Sequence, residues 1–142
     1  MIKLKITAAM ALAIASAAIF AIGAAAPVNT ISVASAEGLG DYLVDQDGYT
    51  LYYFAEDVPG SGTSSCGETC IHYWPPFHTG QVVIPLNLSN FDFSTIYRED
   101  GLAQTTYKGW PLYYYINDYR SGDVKGHGME GTWFVAGPDQ MP

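Results

Sequence analysis

Apolar and polar positions divide the chain into two regimes. Residues 7–26 (TAAMALAIASAAIFAIGAAA) run without a charge and without alternation. From residue 41 the pattern becomes short alternating runs broken by Gly, Pro, Asp and Ser, which predicts strands joined by turns. DYLV, a turn at Asp45–Gly48 and YTLYYF read as a β-hairpin. In its second strand Leu51 and Tyr53 share one face, while Tyr52 and Phe54 share the other. VPGSGTSS is a loop. Trp74-Pro75-Pro76 stops any helix, because proline lacks an N–H and restricts the residue before it. At most one helical turn therefore fits between Cys66 and Tyr73. Val82–Ile84 predicts a short strand stopped by Pro85, and FDFSTIYREDGLAQTTYKGWPLYYYINDY predicts a three-stranded meander. A Gly-rich loop, SGDVKGHGMEG, leads to a last strand, TWFVAG.

The meander repeats the first hairpin. GYTLYYFAED and GWPLYYYIND place Gly48, Leu51 and Asp57 opposite Gly109, Leu112 and Asp118 at the same spacing. This is an internal duplication. The expected fold is all-β: a small antiparallel sandwich or barrel built from two related β-hairpin units, 41–78 and 91–138, with at most one short helical turn. Together they make a single β-domain over 41–138.

The first regime changes the picture of where the protein works. Lys3 and Lys5, the apolar run and Ala34-Ser35-Ala36 are the parts of a secretory signal. The expectation is a signal peptide over 1–36 and a leader at 37–40. The run is also long enough to span a bilayer, so an uncleaved anchor is the competing reading. The 142-residue chain carries a net charge of −8, and losing both lysines with residues 1–36 leaves four bases against fourteen acids, or −10. That charge argues against nucleic acid and anionic membrane surfaces as partners. An unknown protein or small-molecule ligand remains, with membrane contact only if the N-terminal segment is retained.

All 11 tyrosines and all three tryptophans follow residue 40. Tyr52-Tyr53-Phe54-Ala55-Glu56-Asp57 and Tyr113-Tyr114-Tyr115-Ile116-Asn117-Asp118 both fit Y-x-aromatic-x-x-D. With CGETC, the WPP at 74–76, YKGWPLYYY and GTWFVAG, the chain resembles the secreted-repeat family of predicted lipoproteins that carry this motif. The resemblance implies an extracytoplasmic protein and no established biochemical activity. Many members are lipid-anchored, and this chain lacks the N-terminal cysteine such an anchor needs.

Candidate chemistry gathers in CGETCIHYWPPFHTG. An exported chain with one isolated cysteine pair predicts a disulfide, Cys66–Cys70. The alternative is an extracytoplasmic copper or zinc site, or an electron-transfer centre, using Cys66, Cys70, His72 and His78; otherwise no cofactor is expected. His127, in GHG, reads as a loop residue, and Asp118, Asp123 and Glu130 fall short of a calcium loop. Asp57 and Asp118 read as turn caps rather than as a hydrolase pair. The motif aromatics Tyr52, Phe54, Tyr113 and Tyr115, with Trp74 and Trp133, read as structural. One face of the aromatic strands must fill the core; the other either offers a tyrosine surface to carbohydrate or a protein partner or packs at the sheet surface with its hydroxyls in water. The leading expectation is a non-catalytic secreted or cell-surface module that binds a partner or ligand.

Overall fold

A computed structural model describes residues 29–80 and 82–142. The described chain is all-β. Its strands are β1 (Asn29–Thr30), β2 (Ser32–Ala36), β3 (Gly40–Val44), β4 (Tyr52–Phe54), β5 (Val82–Val83), β6 (Phe93–Tyr97), β7 (Ala103–Tyr107), β8 (Trp110–Pro111) and β9 (Trp133–Val135). They form four small sheets, β1–β5, β2–β3, β4–β9 and β6–β7–β8, and no closed barrel. All pairings are antiparallel except the two-residue contact of β1 with β5. The helical content is three single 3-10 turns, Cys70–His72, Asn90–Asp92 and Met129–Gly131. One of them is the turn expected near the cysteines.

Turn chemistry sets the hairpins. The Asp45 carboxylate accepts from the Asp47 and Tyr49 N–H groups at 2.9 Å each, closing the first turn. Lys108 and Gly109 both adopt positive φ, 49° and 85°, and join β7 to β8 as a tight two-residue turn. Gly109 also lies against the backbone of Gly60, where a Cβ would come within 2.7 Å.

The two units are joined by exchange. Trp133–Val135 follows the second hairpin but pairs with β4 of the first. Its continuation, Ala136, accepts from Leu43 N–H and donates to Leu51 C=O, while Leu51 donates to Leu43. The other unit repeats the triangle. Phe77, which follows the first hairpin, accepts from Thr105 and donates to Leu112, while Leu112 donates to Thr105. Each hairpin thus takes its third strand from the segment that follows the other hairpin. The relation is a pseudo-twofold, and Tyr52 and Tyr113 lie next to its axis. They exchange backbone N–H···O=C bonds of 2.8 and 2.9 Å.

This geometry bears on two expectations. The aromatic strands bury both faces: Leu51, Tyr53 and Leu112 enter one core cluster, while Tyr52 and Tyr113 enter a second. No open tyrosine face remains on β4, because exchanged segments cover the side that a lone hairpin would leave to solvent. The folded part also begins well before residue 41. β2 pairs along its full length with β3, and Ile31 is fully buried in the first cluster. Of the expected signal segment, residues 1–28 lie outside the described residues, while 29–36 belong to the β-domain.

Processing after Ala36 would strip β2 and Ile31 from the domain. The expected mature N-terminus therefore lies at or before Asn29, which intact-mass measurement of the exported protein will check. A chain started at Glu37 should be less stable than one started at Asn29 by at least the roughly 2–5 kcal/mol of a deleted buried isoleucine, read from denaturant midpoints.

Candidate functional site

The repeated aspartates are the polar centre of the fold. Tyr52 Oη donates to Asp118 Oδ2 at 2.6 Å, and Tyr113 Oη donates to Asp57 Oδ2 at 2.7 Å. Each tyrosine therefore bonds the aspartate of the other unit. The second oxygen of each carboxylate closes its own loop: Asp57 Oδ1 accepts from Ser65 N–H at 2.6 Å, and Asp118 Oδ1 from Lys125 N–H at 3.0 Å. Burial raises the Asp57 and Asp118 carboxyls above their ordinary 3.8. Burial, reinforced by these aspartates, also pushes Tyr52 and Tyr113 above 10.0, so both hydroxyls stay protonated donors. Both carboxylates are hydrogen-bonded inside the protein.

The cysteines form the expected disulfide, with Cα atoms 5.2 Å apart. His72 and His78 are exposed. Among the described residues no group of three or more His, Cys, Asp or Glu is placed to hold a metal ion. The described residues do not bring Cys66, Cys70, His72 and His78 together as a copper or zinc site: the sulfurs are joined to each other, and a disulfide offers no thiolate. The disulfide instead shapes the loop between the units, and Arg98 Nη2 donates to Cys66 C=O at 2.5 Å. Arg98, buried and paired with Asp100 at 2.9 Å, also reaches Ser64 and Gln104. His127 Nδ1 accepts from Val135 N–H at 3.2 Å. Its neighbour Gly126 is no flexible spacer, since a Cβ there would come within 2.9 Å of Trp74 and Tyr52.

On the pseudo-twofold axis the exchanged strands bring Trp74 and Trp133 face to face. Their rings are 3.8 Å apart and 2° from parallel. Phe54 stacks on the outer face of Trp133 and Tyr115 on that of Trp74, each at 4.3 Å. The result is a continuous column of four rings, two from each unit. Beside it opens a cleft of about 600 Å³, within the ordinary size range of small-ligand sites. Its lining is itself paired by the duplication: Cys70 and Met129 each stand four residues before a column tryptophan, and each starts a 3-10 turn. Thr69, Tyr73, Asn117 and Glu130 complete the lining. Glu130 holds a left-handed backbone, φ 53°, and makes no ion pair among the described residues. A non-glycine residue in this region costs roughly 1–3 kcal/mol and is characteristic of binding sites.

The sequence reading named four of these residues, Phe54, Trp74, Tyr115 and Trp133, as scaffold and missed the cleft they line. Tyr73 and Met129 were not singled out, and Glu130 was weighed only for a calcium loop. A usable signal was present: with two fewer residues after the motif aspartate in the second unit, the repeat aligns Trp74 with Trp133 and Cys70 with Met129.

A family model described as a secreted repeat of unknown function matches the chain twice, over residues 34–78 and 94–137. Each match contains one motif aspartate and one column tryptophan. No curated protein and no solved structure matches the chain.

The crossed bonds predict equal effects from distant positions. Tyr52→Phe and Tyr113→Phe should each cost about 1.5–3 kcal/mol, the range for a hydrogen bond to a charged group. Chemical denaturation will read both. The aspartates also set a pH dependence. A carboxyl raised on folding contributes stability that is complete below its unfolded value and lost as pH rises through its folded value. Asp100 and Asp123 are shifted down, Asp100 first by the Leu102 N–H and Asp123 first by its bond to Lys125. Their contribution is lost only as pH falls below about 3.8. The melting temperature should hold or rise from pH 7 toward pH 4, and Asp57→Asn with Asp118→Asn should flatten that rise.

Proposed function

The chain belongs to the family of secreted repeats of unknown function, and from that premise we propose that it is a non-catalytic extracytoplasmic module that binds a small ligand in the cleft beside its aromatic column. The observation that carries the proposal is the cleft itself. It forms where the two units exchange strands, and both units supply its wall. Its aromatic lining gives apolar area, and Thr69, Asn117 and Glu130 give polar groups. This mix of an apolar wall with a few placed polar groups is the usual make-up of a ligand site.

A hydrolytic role receives less support. Glycoside hydrolysis uses two facing carboxylic groups, and Glu130 is the one carboxylate that lines the cleft. Asp57 and Asp118 are bound to Tyr113 and Tyr52 instead. No helix among the described residues is long and apolar enough to cross a membrane.

A fragment screen followed by the methyl signal of Met129 will test the reading. Bound fragments should shift that signal saturably and raise the melting temperature. Tyr73→Ala should weaken them by about tenfold, the equivalent of about 1.4 kcal/mol. Tyr73 is 60% exposed, so its truncation should leave the fold intact. Hits that leave Met129 unmoved, or that bind the variant equally well, would remove the cleft from consideration.

A further inference from the structure

The sheet of the second unit ends in an open edge. β6 stands last in the order β8–β7–β6. Lys108 N–H donates to Asp92 C=O, and Arg98 N–H to Leu102 C=O, so residues 92, 94, 96 and 98 turn their backbone groups toward β7. Thr105, opposite Thr95, fits the same alternation: its N–H goes to Phe77 and its C=O to Leu112, both on its far side. Phe93, Thr95 and Tyr97 therefore turn their groups outward. Phe93 N–H is taken by Asn90 C=O in the preceding 3-10 turn. Among the described residues nothing pairs with Phe93 C=O, with either backbone group of Thr95 or with those of Tyr97.

Native sheets shield such edges with charge, proline, a bulge or a covering segment. β6, FSTIY, has no charge and no proline, and it runs in unbroken register with β7. Thr95 is exposed, Tyr97 is 77% exposed, and Phe91, just before the strand, is 99% exposed. Free backbone groups and large uncovered aromatic side chains thus meet on one short stretch. The corresponding strand of the first unit, β2, is better shielded: Ile31 N–H at its start donates to Val83 C=O, and Glu37 borders its other end.

We propose that β6 pairs with the β6 of a second copy of this chain, antiparallel about a twofold at Thr95, joining the two three-stranded sheets edge to edge. The edge is self-complementary in this register. The two Thr95 residues exchange N–H···O=C bonds in both directions, and each Tyr97 N–H donates to the Phe93 C=O of the other copy, four bonds in all. Only Tyr97 C=O goes unpaired, opposite the occupied Phe93 N–H. A twofold at Ser94 calls on that same N–H and keeps two bonds. A twofold at Ile96 makes four but sets Phe93 against Glu99. The Thr95 register sets Thr against Thr, Phe93 against Tyr97 and Asp92 against Arg98, pairings that favour a sheet. No acid then faces an acid, although each chain carries a net charge of −8. A hollow of about 230 Å³ separates Phe93–Thr95 from Thr79, Gly80, Val82 and Asn90, leaving room for the incoming Tyr97 ring. No residue of β6 lines the aromatic cleft, so this surface is separate from the ligand site.

Sedimentation equilibrium of the exported protein tests the pairing, run up to about 1 mM because a strand-sized interface is weak. The mass should rise to that of two copies and stop there. Over the same concentration series the Thr95 and Tyr97 amide signals of the isotope-labelled protein should move together, while those of Ser94 and Ile96, bonded to β7, hold still. Thr95→Lys sets two lysines opposite each other at the twofold. Thr95→Pro removes the outward donor and leaves the β7 ladder intact. Each should weaken the dimer by at least about tenfold, with unchanged signals from β7 and β8 verifying the fold. A chain that stays monomeric throughout overturns the proposal. So does a dimer that leaves the Thr95 and Tyr97 amides unmoved, or one that forms equally well in Thr95→Lys. Growth beyond two copies also overturns it, because β6 would then be pairing with a different edge and leaving others open.

Discussion

The crossed pair of hydrogen bonds, Tyr52 to Asp118 and Tyr113 to Asp57, is the constraint on which the rest of the structure depends. A buried carboxylate without partners is costly, so each motif aspartate must find donors. Its own loop supplies one through a backbone N–H. The other comes from the opposite unit. Neither hairpin can therefore satisfy its aspartate alone. The same crossing fixes the loops that follow each aspartate and carries the next strand over to the partner hairpin. The backbone triangles at Leu43, Leu51 and Ala136 and at Thr105, Leu112 and Phe77 then complete two equivalent half-structures.

The aromatic column follows from that exchange. A strand sent across the axis from each side brings its tryptophan to the same place, and the pair stacks because the axis relates them. Parallel stacking adds to the large area these rings bury. The disulfide belongs to the same arrangement. Cys66–Cys70 tightens the short turn before Trp74, while Met129 stands at the matching place before Trp133 without a covalent link. The two loops differ, and the cleft they border is therefore asymmetric. Glu130 stands on one side and has Ile71 as its sequence counterpart on the other.

Much of this was readable in the chain. Alternation marked β3, β4, β6, β7 and β9, and the repeat of Gly, Leu and Asp showed two units. The cysteine pair in an exported chain indicated a disulfide. What alternation and spacing left open shares a cause. Ser32–Ala36 looked like the tail of a signal because its small residues carry no strong strand pattern, and only pairing with β3 makes it a strand. The aromatic strands looked two-faced, with one side open, because alternation along a single strand cannot show that another segment covers the far side. Cys66, Cys70, His72 and His78 allowed a cluster as the alternative to the disulfide because they are close in sequence. The disulfide turned the cysteines toward each other and left the histidines exposed.

What the sequence by itself determined is local: strands from alternating side chains, turns from Asp, Asn and Gly, and a duplicated unit from repeated spacing. These follow from sterics and hydrogen bonds among near neighbours. What only the tertiary structure decided is which unit answers which. Tyr52 meets Asp118 across 66 residues, and Tyr113 meets Asp57 across 56. A repeat with identical motifs is equally consistent with each tyrosine bonding its own aspartate. The choice between self-contained and crossed units lies in the packing of both together, and the crossing is what sets two tryptophans face to face beside an open cleft.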